Sequence, residues 1–172
     1  TLFAGVPRFY EKVQQKILDT VAAAPPVKRA LFDWALGVGR EAALRRIAGR
    51  EPGGTLAARY RLADRLVLSK VRQGLGGRLR FSITGGAEMP LHVAEFFHSL
   101  GIWVVEGYGL TETSPVISAN GARPGTLRLG TTGRPLDNVQ VKLADDGELL
   151  VRGPSVMLGY WNKPEATAEV LD

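Results

Sequence analysis

The sequence predicts an α/β fold: a helical layer over residues 1–77, part of a parallel α/β sheet over 78–118, and antiparallel β elements over 119–172. Three observations predict it. Apolar residues in the first part recur at helical spacing between proline and glycine breakers. After Gly77 the texture changes to short apolar strand, turn, helix and apolar strand. Further on, Val139, Val141 and Leu143 alternate with polar residues, which is the period of a half-buried strand.

The first helix starts at Pro7, whose fixed φ suits a first helical turn, and is stopped by Pro25 and Pro26. In the second, Val27, Leu31, Trp34, Ala35 and Val38 fall at i, i+4, i+7, i+8 and i+11 and make one amphipathic face. Glu51-Pro52-Gly53-Gly54 breaks the chain again. A third helix over 56–73 lines up Leu56, Tyr60, Ala63, Val67 and Val71, then ends at Gly74-Leu75-Gly76-Gly77. Residues 79–83 predict a short strand, 90–100 a helix, and 102–105 a buried strand. Parallel strands joined by a helix bring their C-terminal ends to one sheet edge, where open α/β sheets bind ligands. Glycine-bearing loops follow both strands, at 84–89 and 106–115. Beyond 118 the chain is turn-rich, and Asp145-Asp146-Gly147 joins 139–143 to 148–152 as a β-hairpin.

Composition narrows the function classes. With 172 residues and 45% hydrophobic content, the chain can bury one domain-sized core. No apolar run approaches the roughly 18 residues of a membrane-spanning helix, and no start resembles a signal peptide, so a cytoplasmic location is expected. The absence of cysteine excludes disulfides and thiolate metal sites. His92 and His98 share one predicted helix without acidic or cysteine partners and are expected to be structural. Charge is uneven: residues 1–80 carry 16 of the 22 Lys+Arg and 6 of the 17 Asp+Glu, a balance of +10 against −5 for the rest. Basic helices of this kind suit peripheral contact with anionic lipid at the inner membrane face; the alternative is long arginines coating solvated helix surfaces. No basic segment is interleaved with aromatics, which argues against a nucleic-acid partner.

The densest chemistry lies in 106–115, EGYGLTETSP, where two glycines flank Tyr108 and two threonines flank Glu112. Such a loop supplies backbone N–H groups, a flat ring, hydroxyls and one carboxylate, the set that a nucleoside triphosphate with Mg²⁺ requires. Upstream stands Thr84-Gly85-Gly86-Ala87-Glu88-Met89-Pro90, and downstream GPSVMLGYWNKPEAT at 153–167. Together, in this order and spacing, the three resemble the adenylate-forming (AMP-binding) superfamily of acyl-CoA synthetases, luciferases and peptide-synthetase adenylation domains. The element Val6-Pro7-Arg8-Phe9-Tyr10-Glu11-Lys12-Val13 resembles the long-chain fatty acid–CoA ligases.

The resemblance implies a two-step reaction, in which a fatty acid carboxylate attacks the α-phosphate of ATP to give an acyl-adenylate, and the thiol of coenzyme A then displaces AMP. It assigns Glu112 to Mg²⁺, directly or through water, and the Thr111 hydroxyl to the phosphates. Tyr108 would stack on adenine, with the bare backbone of Gly85, Gly86 and Ala87 on the other face. Glu106 and Gly107 would touch the base edge or the acyl carboxylate through main-chain groups, and a larger residue at Gly107 or Gly109 would obstruct the ligand. Thr113 and Ser114 are expected to stabilise the loop. The 119–172 elements would belong to a distorted barrel, with Gly159 and Tyr160 in a connection. The family's lysine-bearing phosphate loop, its ribose-binding aspartate and its catalytic lysine are not in this sequence, so the resemblance implies an internal piece of the large N-terminal domain of an acyl-CoA synthetase-like fold. Two other readings stand beside this one: another adenylate-forming ligase, activating an aryl or amino acid or passing an acyl-adenylate to a carrier protein, or a non-catalytic basic lipid- or membrane-binding module.

Overall fold

The computed structural model describes residues 2–79 and 81–171. Its centre is a five-stranded sheet in spatial order β1 (Leu2–Gly5), β2 (Phe81–Thr84), β3 (Trp103–Tyr108), β4 (Ser118–Ala119) and β5 (Arg134–Pro135). The first three strands are parallel, and β4 and β5 add antiparallel. A separate antiparallel hairpin, β6 (Gln140–Leu143) and β7 (Leu149–Arg152), turns at Gly147, whose φ of +91° favours glycine. The described residues form no closed barrel. Boundary 118/119 falls inside β4, because the strands that follow the 106–115 loop continue the same sheet.

Helices α1 (Pro7–Ala22), α2 (Pro26–Ile47), α3 (Gly54–Ala63) and α4 (Ser69–Gly74) make the crossover from β1 to β2. On α1, Tyr10 is buried, and Val13, Ile17 and Val21 pack beside it at i+3, i+7 and i+11. Tyr10 pins the helix to the sheet: its hydroxyl donates to the Ile83 carbonyl at 2.9 Å and shares a hydrogen bond with the Ser82 hydroxyl, while its ring meets Phe97 edge-on at 5.5 Å. The VPRFYEKV element is therefore a tie between α1 and β2.

The buried face of α2 is Phe32, Ala35, Val38, Gly39, Ala42 and Ala43, rotated from the stripe expected at 27–38; Val27 is 80% exposed. Small residues decide this face. A Cβ at Gly39 would run into the Ser99 carbonyl, so only glycine lets α2 lie this close to α5 (Leu91–Ser99). Helix α5 is buried between α2 and the sheet through Val93, Ala94, Phe96 and Phe97, with Leu100 buried just past its end.

The predicted helix over 56–73 is continuous but contains a π turn, Asp64–Leu68. A π turn holds one more residue than an α turn. The stripe consequently shifts from Val67 to Leu68, which is fully buried below Leu56 and Ala63. Arg72 locks the arrangement, pairing with Asp64 at 2.7 Å and donating to the Leu100 carbonyl at 2.7 Å.

Candidate active site

Strand register places the two glycine-bearing loops side by side. Thr84 pairs with Glu106, so Gly85-Gly86 and Gly107-Tyr108 leave adjacent strands at the same edge. The turn is pressed against its neighbour: a Cβ at Gly85 would lie 3.0 Å from the Gly107 carbonyl oxygen. Gly86 has φ +80°, a conformation that glycine adopts without strain, and Gly86, Ala87 and Glu88 are exposed. The result is a stretch of open backbone with almost no side chain over it.

Glu106 is not directed at this surface. Its carboxylate is buried, accepts the Met89 N–H at 3.2 Å and is pushed above the usual range, chiefly by burial. Its carbonyl accepts the Asn120 N–H at 2.8 Å. With both groups engaged inside the chain, Glu106 fixes the 84–89 turn against β3, and its carbonyl is already taken by Asn120. Asn120 is a scaffold residue that sequence reasoning passes over: its side-chain oxygen accepts the Arg128 N–H at 2.9 Å and its amide donates to the Thr131 carbonyl. A lone asparagine in a turn-rich stretch carries no signal of that role.

The 106–115 loop folds back on itself. The Ile117 N–H donates to the Tyr108 carbonyl at 2.8 Å, and a Cβ at Gly109 would overlap the Pro115 carbonyl. Gly109 is therefore required by loop closure, whatever it does to a ligand. Gly107 differs, since a Cβ there would sit 3.6 Å from the Ser118 carbonyl, an ordinary contact. A 3₁₀ turn, Thr111–Thr113, follows. The Thr113 hydroxyl accepts the Leu110 N–H at 3.0 Å and has the Leu110 and Pro115 carbonyls as alternative acceptors at 3.0 and 3.1 Å. Ser114 takes a left-handed conformation, φ +51°.

Among the loop side chains at the surface, beside Leu110, Ser114, Pro115 and Val116, are Tyr108, 38% exposed, Thr111, exposed, and Glu112, half-exposed. Glu112 Oε1 accepts the Tyr160 hydroxyl at 2.6 Å, and the Glu112 carbonyl accepts the Met157 N–H at 2.8 Å. That hydrogen bond holds the Glu112 carboxyl below, and the Tyr160 phenol above, its ordinary value. The described residues contain no cluster of three or more His, Cys, Asp or Glu able to hold a metal. The accessible Glu112 carboxylate would suit Mg²⁺, which usually takes one or two carboxylates together with substrate phosphates and keeps several waters. An apolar cavity of about 440 Å³, lined in part by Leu2, Phe3, Phe9, Leu79 and Ile102, lies at the opposite ends of the strands and is separate from these loops.

A family model described as AMP-binding enzyme matches residues 1–161. The chain belongs to that family. Relatives within the AMP-binding enzymes include a Mycobacterium tuberculosis protein provisionally named fatty-acid–CoA ligase fadD11, 42% identical over 100% of this chain and 30% of its own length. Long-chain-fatty-acid–CoA ligase FadD15 of Mycobacterium bovis is 35% identical over 98% of this chain and 27% of its own. This chain thus spans under a third of either relative. Among solved structures, a benzoate CoA ligase from Burkholderia xenovorans is 30% identical and covers 52% of this chain and 20% of its own, with TM-score 0.48.

Proposed function

We propose that this chain serves an ATP-dependent, AMP-forming ligase that activates a long-chain fatty acid and transfers it to coenzyme A. The observation that carries the proposal is the juxtaposition at the sheet edge: bare backbone at Gly85-Gly86-Ala87 beside β3, whose end bears the exposed Tyr108 ring, the Thr111 hydroxyl and the Glu112 carboxylate. The names of the relatives support the choice of fatty acid and coenzyme A.

In the first step a carboxylate oxygen forms a bond to the α-phosphorus and the bond to the β-phosphate oxygen breaks, releasing pyrophosphate. In the second, the coenzyme A thiolate bonds to the acyl carbon and AMP leaves. Bound Mg²⁺ would neutralise the triphosphate charge that otherwise repels the attacking carboxylate. Glu112 would hold that ion, Thr111 would donate to a phosphate oxygen, and Tyr108 would stack on the adenine. Gly107, without a side chain, admits the ligand to the main chain at the end of β3.

Among the described residues no helix is long and apolar enough to cross a membrane. The basic surface is read as a solvated helix coat, because Arg40, Arg46, Arg59 and Arg72 already pair with Glu95, Glu51, Glu41 and Asp64.

The test of the reading is Glu112→Gln in the full-length protein. Loss of one preorganised electrostatic contact costs about 3–4 kcal/mol of transition-state stabilisation, so pyrophosphate exchange should fall at least about a hundredfold. Exchange within a few-fold of wild type at saturating Mg²⁺ would reject the assignment. Thr111→Val reports separately on the hydroxyl at nearly constant shape.

A further inference from the structure

We infer that Tyr160 is a positioning residue for Glu112, so that the 153–167 segment is a working part of the site. The inference rests on the proposed role of Glu112 as the residue that holds Mg²⁺ with ATP. Four contacts carry it. The Tyr160 hydroxyl donates to one Glu112 oxygen at 2.6 Å, a short charge-assisted bond that fixes the carboxylate rotamer and leaves the second oxygen for a cation. The Met157 N–H binds the Glu112 carbonyl at 2.8 Å, so backbone and side chain of the same residue are both held from this segment.

Tyr160 is itself held. Its N–H donates to the Thr167 hydroxyl at 2.9 Å, and that hydroxyl donates to the Lys163 carbonyl at 2.8 Å. Gly159 precedes it at φ +145°, where a Cβ would lie 2.8 Å from Thr167 Cγ2, so the chain closes on Thr167 with room only for glycine. An exposed tyrosine that served only to remain solvated would need none of this bracing. Partners that orient a ligating carboxylate commonly change metal affinity 10- to 100-fold when removed.

The test uses the full-length protein with a non-hydrolysable ATP analogue, Mn²⁺ replacing Mg²⁺ so that bound metal is read by electron paramagnetic resonance. Tyr160→Phe should weaken Mn²⁺ binding about tenfold, and Glu112→Gln should weaken it at least as much. The double variant should bind no more weakly than Glu112→Gln alone, because the hydroxyl acts only through the carboxylate. Wild-type Mn²⁺ affinity in Tyr160→Phe beside a weakened Glu112→Gln would overturn the inference and leave the role of Glu112 standing. Fully additive losses would place Tyr160 in some role apart from Glu112 and overturn it equally. If Glu112→Gln binds Mn²⁺ as wild type does, the underlying reading fails and the inference with it. Should Tyr160→Phe not fold, Thr167→Val, which releases Tyr160 without touching Glu112, decides: a several-fold loss supports positioning, and no loss refutes it.

Discussion

In the full-length protein, Gly109→Ala should open the 106–115 loop, whereas Gly107→Ala, two residues earlier, should keep the fold and hinder the nucleotide. At Gly109 the new methyl would overlap the Pro115 carbonyl and lie 2.9 Å from the Val116 Cα. Both obstacles are backbone, which cannot rotate aside as a side chain can. Overpacking of this kind costs about 1–3 kcal/mol, and one or two loop hydrogen bonds add about 0.5–1.5 kcal/mol each. A cost of roughly 2–5 kcal/mol falls first on the loop itself, since local opening is cheaper than global unfolding. The Ile117 amide, bonded to the Tyr108 carbonyl at 2.8 Å, is the reporter. Its hydrogen exchange should accelerate more than tenfold in Gly109→Ala. At Gly107 the methyl finds an ordinary 3.6 Å contact, and alanine is preferred over glycine within a strand by about 0.5–1 kcal/mol. Ile117 protection should then match wild type while the KM for ATP rises about tenfold. Undisturbed Ile117 exchange in Gly109→Ala, or lost protection in Gly107→Ala, would refute the division of labour between the two glycines.

Two further outcomes are expected. His98 is buried, donates from Nε2 to the Val104 carbonyl at 3.1 Å and has a buried Nδ1 without a partner among the described residues, so burial pushes its pKa down to about 4 from 6.5. The unfolded chain takes up the proton first on acidification; stability from this group is complete above 6.5 and is lost as pH falls towards 4, about 3 kcal/mol in all. Urea unfolding should show this loss between pH 6.5 and 4, and His98→Gln should flatten it; identical slopes would refute the account. Charge reversal at Arg45 and Arg50, both exposed, should leave binding to anionic vesicles unchanged. Arg46 is spared in that variant because it lies over the Tyr60 ring at 4.5 Å and pairs with Glu51. Salt-sensitive vesicle binding that the reversal abolishes would restore a membrane role.

Legibility in the sequence follows from how local each cause is. Helix stops at Pro25 and Pro26, the strand–turn–helix–strand pattern after Gly77 and the 145–147 turn depend on neighbouring residues and are readable. Strand β1 is not, because four residues at a sheet edge show no decisive period and pair only with β2 far along the chain. The two-residue strands β4 and β5 are too short to have a period at all. On α2 the expected stripe holds at Ala35 and Val38, but Gly39, Ala42 and Ala43 are not readable, because alanine and glycine, which allow closeness to α5, score weakly beside Val27 and Leu31. At the site, the place of the EGYGLTETSP loop at the sheet edge is readable from the strand pattern, but the inward turn of Glu106 depends on the Met89 and Asn120 amides. The Tyr160 bond to Glu112 joins residues 48 apart, and its only trace in the sequence is the GYWN motif.

The pairing of Leu2 with Phe81 has a consequence for synthesis. Strand β1 leaves the ribosome about 80 residues before its partner exists, an interval of roughly 4–16 s at ordinary elongation rates. Through that interval Phe3, Phe9 and Tyr10, which pack on one another at ring distances of 4.7–6.3 Å, can cluster but cannot yet dock on β2. Strands β2 and β3, separated only by α5, can pair as soon as both are made. The nascent chain therefore assembles the edge that carries its two glycine-bearing loops from neighbouring segments while β1 waits for β2, and during that interval it is β1, with its sticky aromatic neighbours, that a holding chaperone would have to shield.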